Sequence, residues 1–241
     1  MQYHVVTFHK CASNWTRRLF RDVADSRDMN VWVDKPNDSA INTLVDRGSD
    51  DVLCLYRTGS RKGFDENAIG GTPVVLCVRD PKDVLVSQYW SWKATHRKNS
   101  LKIEKTRAKL ADMSVREGMM LLIEENLIVF CSCARIWSGP AEDKRIYLLK
   151  YEDLLQDFKR AFSSAASHLG LDLDDEYLFA LREKYSFRSI TKRSPGEEKL
   201  SSHYRKGVSG DWANYFDDKL ASTFNDSYGE ICDKFGYPRA G

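Results

Sequence analysis

The chain has 241 residues, which at about 150 residues per domain leaves room for one or two domains with a sizeable core. Charged residues make up 30%, the hydrophobic set 42% and aromatics 12%, a globular composition that excludes a disordered chain. Lys plus Arg count 37 against 35 Asp plus Glu, a formal charge of +2, too balanced for a protein that coats nucleic acid, and no apolar run approaches the length of a membrane span.

Residues 5–8 read as a buried strand so early in the chain that no signal peptide is expected ahead of it. A loop over 9–14 follows, then a helix over 15–23 with Trp15, Leu19 and Val23 on one face. Short apolar runs at 31–33, 52–56 and 74–78 predict three further strands, and a helix is expected over 82–92. Apolar positions 119, 123, 127, 130, 134 and 137 predict one long core helix over 119–137. A fifth strand is expected at 145–149, followed by Tyr151, Glu152 and Asp153 and a helix through 169. The stretch 186–210 is rich in Ser, Lys, Arg and Gly and reads as a mobile loop, and 215–235 as a closing helix. Near-continuous apolar strands alternating with helices predict one α/β domain over 1–241, with a central parallel sheet flanked by helices.

Cysteines stand at 11, 54, 77, 131, 133 and 232. Cys54, Cys77, Cys131 and Cys133 lie in apolar runs and are expected to be buried free thiols, which implies a reducing, cytoplasmic compartment. Cys131 and Cys133 do not have zinc-site spacing, and no metal is expected.

Three segments carry chemistry. The first is the strand–loop–helix unit over 5–23, where a helix N-terminus presents free N–H groups to an anion, Lys10 adds a charge, and Ser13 and Asn14 add donors. It is not a G-x-x-x-x-G-K-[ST] loop. In the second, Arg79 leaves a buried strand at its C-terminal end, where open α/β sheets bind ligands, and Ser87 follows on the next helix. Pairing of Arg79 with Asp80 or Asp83 is the plain alternative. The third, over 204–212, places adjacent Arg205 and Lys206 beside Gly207 in a loop suited to a dianionic phosphate; a solvated basic loop is its alternative.

Together these segments resemble the PAPS-dependent sulfotransferases (PAPS being 3′-phosphoadenosine 5′-phosphosulfate), including the cytosolic and bacterial small-molecule members. That family's T-Y-P-K-S-G-T-T-W loop is similar to 7–15 here, its R-N-P-K-D-x-x-V-S segment to 79–87 with Asp80 for Asn, and its R-K-G-x-x-G-D-W motif is intact at 205–212. Its Y-E-D matches 151–153, and its T-S-F is similar to 185–187. The resemblance implies a P-loop-kinase-like sulfotransferase fold and transfer of a sulfuryl group from PAPS to a hydroxyl or amine of a small molecule or sugar, releasing 3′,5′-ADP without a metal. It further implies that Lys10 and the N–H groups of Cys11, Ala12, Ser13 and Asn14 hold the 5′-phosphosulfate. Arg79, Ser87, Arg205, Lys206 and Gly207 would hold the 3′-phosphate, Trp15 and Phe187 would sandwich the adenine, and Tyr151 would reach its amino group. Lys10 would also stabilise charge that develops during transfer.

The chain departs from the family in three places. Ala12 replaces the loop glycine and is expected to keep a negative φ. Gly59 stands where the family's K-T-H base is expected, so the base is sought in Asp34, His96 or His9. Residues 214–219 do not match the family's dimerisation stretch, which leaves the oligomeric state open. The basic segments 57–63 and 97–109 are candidates for attracting an anionic acceptor, or are solvated faces; Tyr89, Trp90 and Trp92 line an acceptor pocket or belong to the core. No nucleic-acid partner and no membrane span is expected. A nucleotide-binding pseudoenzyme stays open because of Gly59, and a small-molecule kinase is the remoter alternative.

Overall fold

The apolar run at the N-terminus becomes β1 (Gln2–Phe8), with every residue after Gln2 buried. The computed structural model describes residues 1–33, 43–58, 71–96, 101–135, 137 and 143–241. After β1 come α1 (Ser13–Ser26), β2 (Asn30–Val33), β3 (Thr43–Val45), β4 (Val52–Thr58) and β5 (Val74–Val78). Then follow α2 (Pro81–Trp90), a π-helical turn (Ser91–Thr95), α3 (Leu101–Ala111), α4 (Val115–Glu124) and α5 (Val129–Ala134). The chain continues through β6 (Ile146–Lys150), α6 (Tyr151–Gln156), α7 (Phe158–His168) and α8 (Asp175–Lys184). It closes with α9 (Phe187–Thr191), a 3-10 turn (Asp211–Asn214) and α10 (Asp218–Lys234). Two compact units result, one of Met1–Arg79 with Cys133–Ser186, the other of Asp80–Ser132 with Phe187–Gly241.

The first unit holds a six-stranded sheet in the order β3-β2-β4-β1-β5-β6. All neighbours are parallel except β2 and β3. The five expected strands are present, and β3 is an addition: 43–45 is too short to read as a strand until β2 pairs with it. β5 is buried along its whole length, as its unbroken apolar run requires. Leu19, Phe20 and Val23 of α1 and Phe162 and Ala165 of α7 are buried in one core with Val5, Leu53 and Val75. Each large side chain so buried contributes about 1.5–3 kcal/mol. Strands β2 and β4 lie on one side of β1 and β5 and β6 on the other, so the connection after β1 runs to one side of the sheet and the connection after β5 to the other, the kind of switch point where α/β sheets take ligands. The helix expected to run through 169 is broken at Asp157, whose carboxylate accepts the Arg160 N–H at 3.1 Å and starts α7 afresh.

In the second unit α2 and α4 meet at Gly118, where a Cβ would fall 2.5 Å from Tyr89 Cε2; only glycine permits that approach. The single helix expected over 119–137 is instead α4 and α5. Asn126 adopts φ 50, and buried Gln88 takes up the break, donating to Leu127 O at 2.6 Å and accepting from Val129 N at 3.1 Å. The apolar period survives the break, which is why periodicity alone did not reveal it. The stretch 186–210 is not a bare loop: it contains α9, and Gly196 and Lys199 donate to the carbonyls of Lys206 and Arg205 at 2.8 and 2.9 Å.

All six cysteines are free, and Cys11 and Cys232 are buried as well as the expected Cys54, Cys77 and Cys131, whereas Cys133 is only half-buried. Burial pushes the Cys77 thiol up to about 12 and the Cys54 and Cys232 thiols to about 11, so these are packing groups rather than nucleophiles.

Candidate functional site

In the first unit, three segments leave the C-terminal ends of three adjacent parallel strands. Thr7 pairs with Cys77 and Cys77 with Leu149, so the loop after β1, Arg79 after β5 and Tyr151 after β6 emerge along one sheet edge. The loop after β1 is sharply wound, with Lys10 at φ 66 and Ala12 at φ 55. Ala12 therefore does not keep the negative φ expected of it; it adopts the left-handed backbone a glycine would take. That costs about 1–2 kcal/mol in an L-residue. The conformation is held by its neighbours: Cys11 N donates to Phe8 O at 3.2 Å, and the Ala12 carbonyl accepts from Trp15 N at 2.8 Å and Thr16 N at 3.1 Å. The Cys11 side chain is buried beneath it.

The N-terminus of α1 differs from those of α2, α4, α7, α8 and α10. Those are capped by the side chains of Asp80, Ser114, Asp157, Asp174 and Asp217. At α1 the capping position is Ala12, no side chain caps it, and its first turn carries no acid. Among the described residues the N–H groups of Ala12, Ser13 and Asn14 have no acceptor. Free donors and the positive end of a 14-residue helix thus stay available to an anion. Trp15 is half-buried next to this turn, edge-on to Tyr151 at 6.1 Å and tilted against Phe158 at 6.3 Å. The Arg79 guanidinium lies over the other aromatic of the group, 4.6 Å from the Tyr151 ring centroid. Lys10, Trp15, Arg79 and Tyr151 are thereby brought to one edge. His9 sits half-buried between β1 and Lys10.

The second unit carries the remaining expected residues. Ser87 is half-buried on α2. Asp80 replaces the family asparagine without loss of the cap: its carboxylate accepts from Lys82 N at 2.9 Å and pairs with the fully buried Lys82 ammonium at 3.1 Å. Burial raises the Asp80 carboxyl, and Lys82 only partly offsets it. The two oxygens of buried Asp83 accept the N–H groups of Gly210 and Trp212 at 2.8 and 2.9 Å. This fixes the turn that carries Asp211, whose carboxylate bonds Arg205, Lys206 (2.6 Å) and Asn214 (3.0 Å). Burial on its own would raise the Asp211 carboxyl; the bonds from Lys206 and Arg205 outweigh it and hold it below the usual carboxylate range. Lys206 is raised by the same contact.

Gly207 is a glycine for two reasons at once: its φ is +69, and a Cβ there would fall 2.3 Å from Cδ2 of Phe187. Phe187 is further covered by the Arg193 guanidinium, 5.1 Å from its centroid. Asp211 and Arg193 had no role in the sequence reading, and Asp83 entered it only as an alternative partner of Arg79. Asp83 and Asp211 were visible inside matched motifs, but nothing along the chain joins residue 83 to residues 210–212.

Of the candidate bases, Asp34 lies outside the described residues, as do Gly59, Arg61, Lys62, Arg97 and Lys98. His96 closes the π-helical turn, donating its N–H to Ser91 O at 2.7 Å, and its carbonyl accepts from Arg107 at 2.5 Å. Tyr89 and Trp92 are buried and Trp90 half-buried. Among the described residues Trp90 Nε1, Ser91 Oγ and Trp92 Nε1 are buried without hydrogen-bond partners, in a π turn of the kind often found at functional sites. Arg107 and Lys109 are engaged, with Trp92 O and Glu125 respectively, so those members of the basic run are structural or solvated.

The chain is similar to several known proteins. A family model described as a sulfotransferase domain matches residues 71–236. Human sulfotransferase 2A1 is 30% identical over 176 residues, covering 65% of this chain and 55% of that protein. The 3-alpha-hydroxysteroid sulfotransferase of Cavia porcellus is 26% identical over 176 residues, covering 68% and 57%. The chain thus spans about half the length of the curated relatives it matches. Mouse sulfotransferase SULT7A1 complexed with PAP shares the fold at a TM-score of 0.70 and 17% identity, over 96% of this chain and 83% of that one. Retinol dehydratase in complex with androsterone and inactive cofactor PAP does so at 0.58 and 14%, over 98% and 82%.

Proposed function

The chain belongs to the sulfotransferase family, and from that membership we propose that it transfers a sulfuryl group from PAPS to a hydroxyl or amine of a small molecule, releasing 3′,5′-ADP. One observation carries the reading furthest: α1 begins without a side-chain cap or an acidic residue, at the C-terminal end of β1, where the connections of the sheet switch sides. A helix left in that state is a site for a phosphate or sulfate. The donor set suits a doubly anionic nucleotide. In the first unit, Lys10 and the N–H groups of Ala12, Ser13 and Asn14 are assigned the 5′-phosphosulfate, the Cys11 N–H expected to join them being spent on Phe8 O; Arg79 is assigned the 3′-phosphate, and Trp15 and Tyr151 the adenine. In the second, Ser87, Arg205, Lys206 and Gly207 are assigned the 3′-phosphate and Phe187 the base.

PAPS supplies the sulfuryl group and its leaving group. The acceptor oxygen or nitrogen bonds to sulfur as the sulfur–oxygen bond to the 5′-phosphate breaks, and its proton passes to a base drawn from His96, His9 or Asp34. Lys10 and the helix N-terminus stabilise the charge left on the phosphate, by positioned electrostatics rather than proton transfer. Relatives named for hydroxysteroids favour a small-molecule alcohol over a sugar as first acceptor to test. Six free thiols suit a reducing compartment such as the cytoplasm, and among the described residues no helix is long and apolar enough to cross a membrane.

Calorimetric titration with 3′,5′-ADP, ATP and 5′-AMP tests the reading. Preference for 3′,5′-ADP is expected, weakened about ten- to hundredfold in Arg79→Ala. Absence of that preference in the wild type overturns the reading. Binding without transfer to any of a panel of small alcohols and amines would make the chain a nucleotide-binding pseudoenzyme.

A further inference from the structure

Arg205 and Lys206 are already matched by carboxylates. Arg205 bonds Glu198 through one terminal nitrogen and Asp211 through the other, and Lys206 bonds Asp211 at 2.6 Å. Two positive charges thus face two negative ones. The carboxylates are unlike. The Asp211 side chain is 1% exposed and sits on the turn clamped by Asp83, so removing it would leave half-buried cations uncompensated. Glu198 is 37% exposed and, among the described residues, bonds Arg205 from the rim. The main chain delivers it there. Gly196 and Lys199 donate to the carbonyls of Lys206 and Arg205 at 2.8 and 2.9 Å, and Arg193 bridges the carbonyls of Glu197 and Arg205 at 2.6 and 2.9 Å.

We propose that Glu198 is an exchangeable stand-in for the phosphate on Arg205, and that its competition sets nucleotide affinity. The proposal rests on the reading of this loop as part of the 3′-phosphate site. A phosphate dianion arriving at Arg205 and Lys206 brings two negative charges to cations that two carboxylates already hold; departure of Glu198 removes one of those carboxylates and frees a terminal nitrogen of the Arg205 guanidinium for the phosphate. A pair whose carboxylate stands at the solvent-exposed rim is more readily exchanged than one whose carboxylate is buried, so Asp211 stays to hold the cations in place.

The test is calorimetric titration of wild type, Glu198→Gln and Glu197→Gln with 3′,5′-ADP and 5′-AMP at low ionic strength. Glu198→Gln is expected to bind 3′,5′-ADP about two- to fivefold more tightly, with 5′-AMP unchanged and the gain shrinking as salt is added. Glu197→Gln removes the same charge one residue away, where the carboxylate accepts the Ser194 N–H at 2.9 Å, and a smaller gain is expected. Unchanged or weaker binding in Glu198→Gln, or equal gains in both variants, overturns the proposal while leaving the cofactor reading intact. A wild type that does not prefer 3′,5′-ADP to 5′-AMP overturns the cofactor reading and the proposal with it.

Discussion

The loop before α1 and the loop before the 3-10 turn are the two proposed anion sites, the first offering backbone N–H groups and the second side-chain cations. The first is built by winding the chain: Lys10 and Ala12 take left-handed backbone, the cap is omitted, and the helix terminus adds its partial charge to that of Lys10. The second is built by charge pairing: Asp83 fixes a turn, Asp211 fixes two cations, and Gly207 lets Phe187 lie against the loop. Backbone donors cannot titrate and are hard to alter by substitution, whereas paired side chains can be tuned by pH, salt and single carboxylates.

Three substitutions probe this contrast. The largest effect is expected from Gly207→Ala, which forces both a positive φ and overlap with the Phe187 ring; a loss of about 3 kcal/mol in urea unfolding is expected, and a loss under 1 kcal/mol would show that the ring simply moves aside. Asp211→Asn comes next, at about 2 kcal/mol near pH 7. Its carboxyl is depressed in the folded state, so the stability it contributes is present above the usual carboxylate value, about pH 4, and is lost as pH falls through the lower folded value. Unfolding curves of wild type and variant should therefore converge below about pH 4; a constant gap would mean that the pairing with Arg205 and Lys206 is not what Asp211 contributes. The smallest effect belongs to the wound loop. Ala12→Gly removes the left-handed strain and should stabilise the protein by about 1 kcal/mol, even after the added freedom of glycine in the unfolded chain. A destabilised variant would show that the loop is less wound than its φ of 55 indicates.

The parallel sheet was legible because its strands are short apolar runs, 5–8, 31–33, 52–56, 74–78 and 145–149, and a strand buried on both faces leaves that mark at any position in the chain. The edge strand β3 left no such mark, since three residues carry no period. The motifs at 7–15, 79–87 and 205–212 were legible as well, because phosphate chemistry demands particular residue types at tight spacing. The break at Asn126 was hidden: the apolar period runs through it, and the group that satisfies it, Gln88, is 38 residues away (126 − 88).

By itself, then, the sequence determined the α/β class, the family and the residues proposed for the nucleotide, since these depend on local pattern and residue type. Only the tertiary structure decided how the groups are held. Ala12 is left-handed because Trp15, Thr16 and buried Cys11 fix the turn around it. Arg205 and Lys206 are neutralised because Asp83, more than 120 residues upstream, clamps the turn that aims Asp211 at them. Charge compensation depends on distances in space, and a linear sequence carries none between residues so far apart.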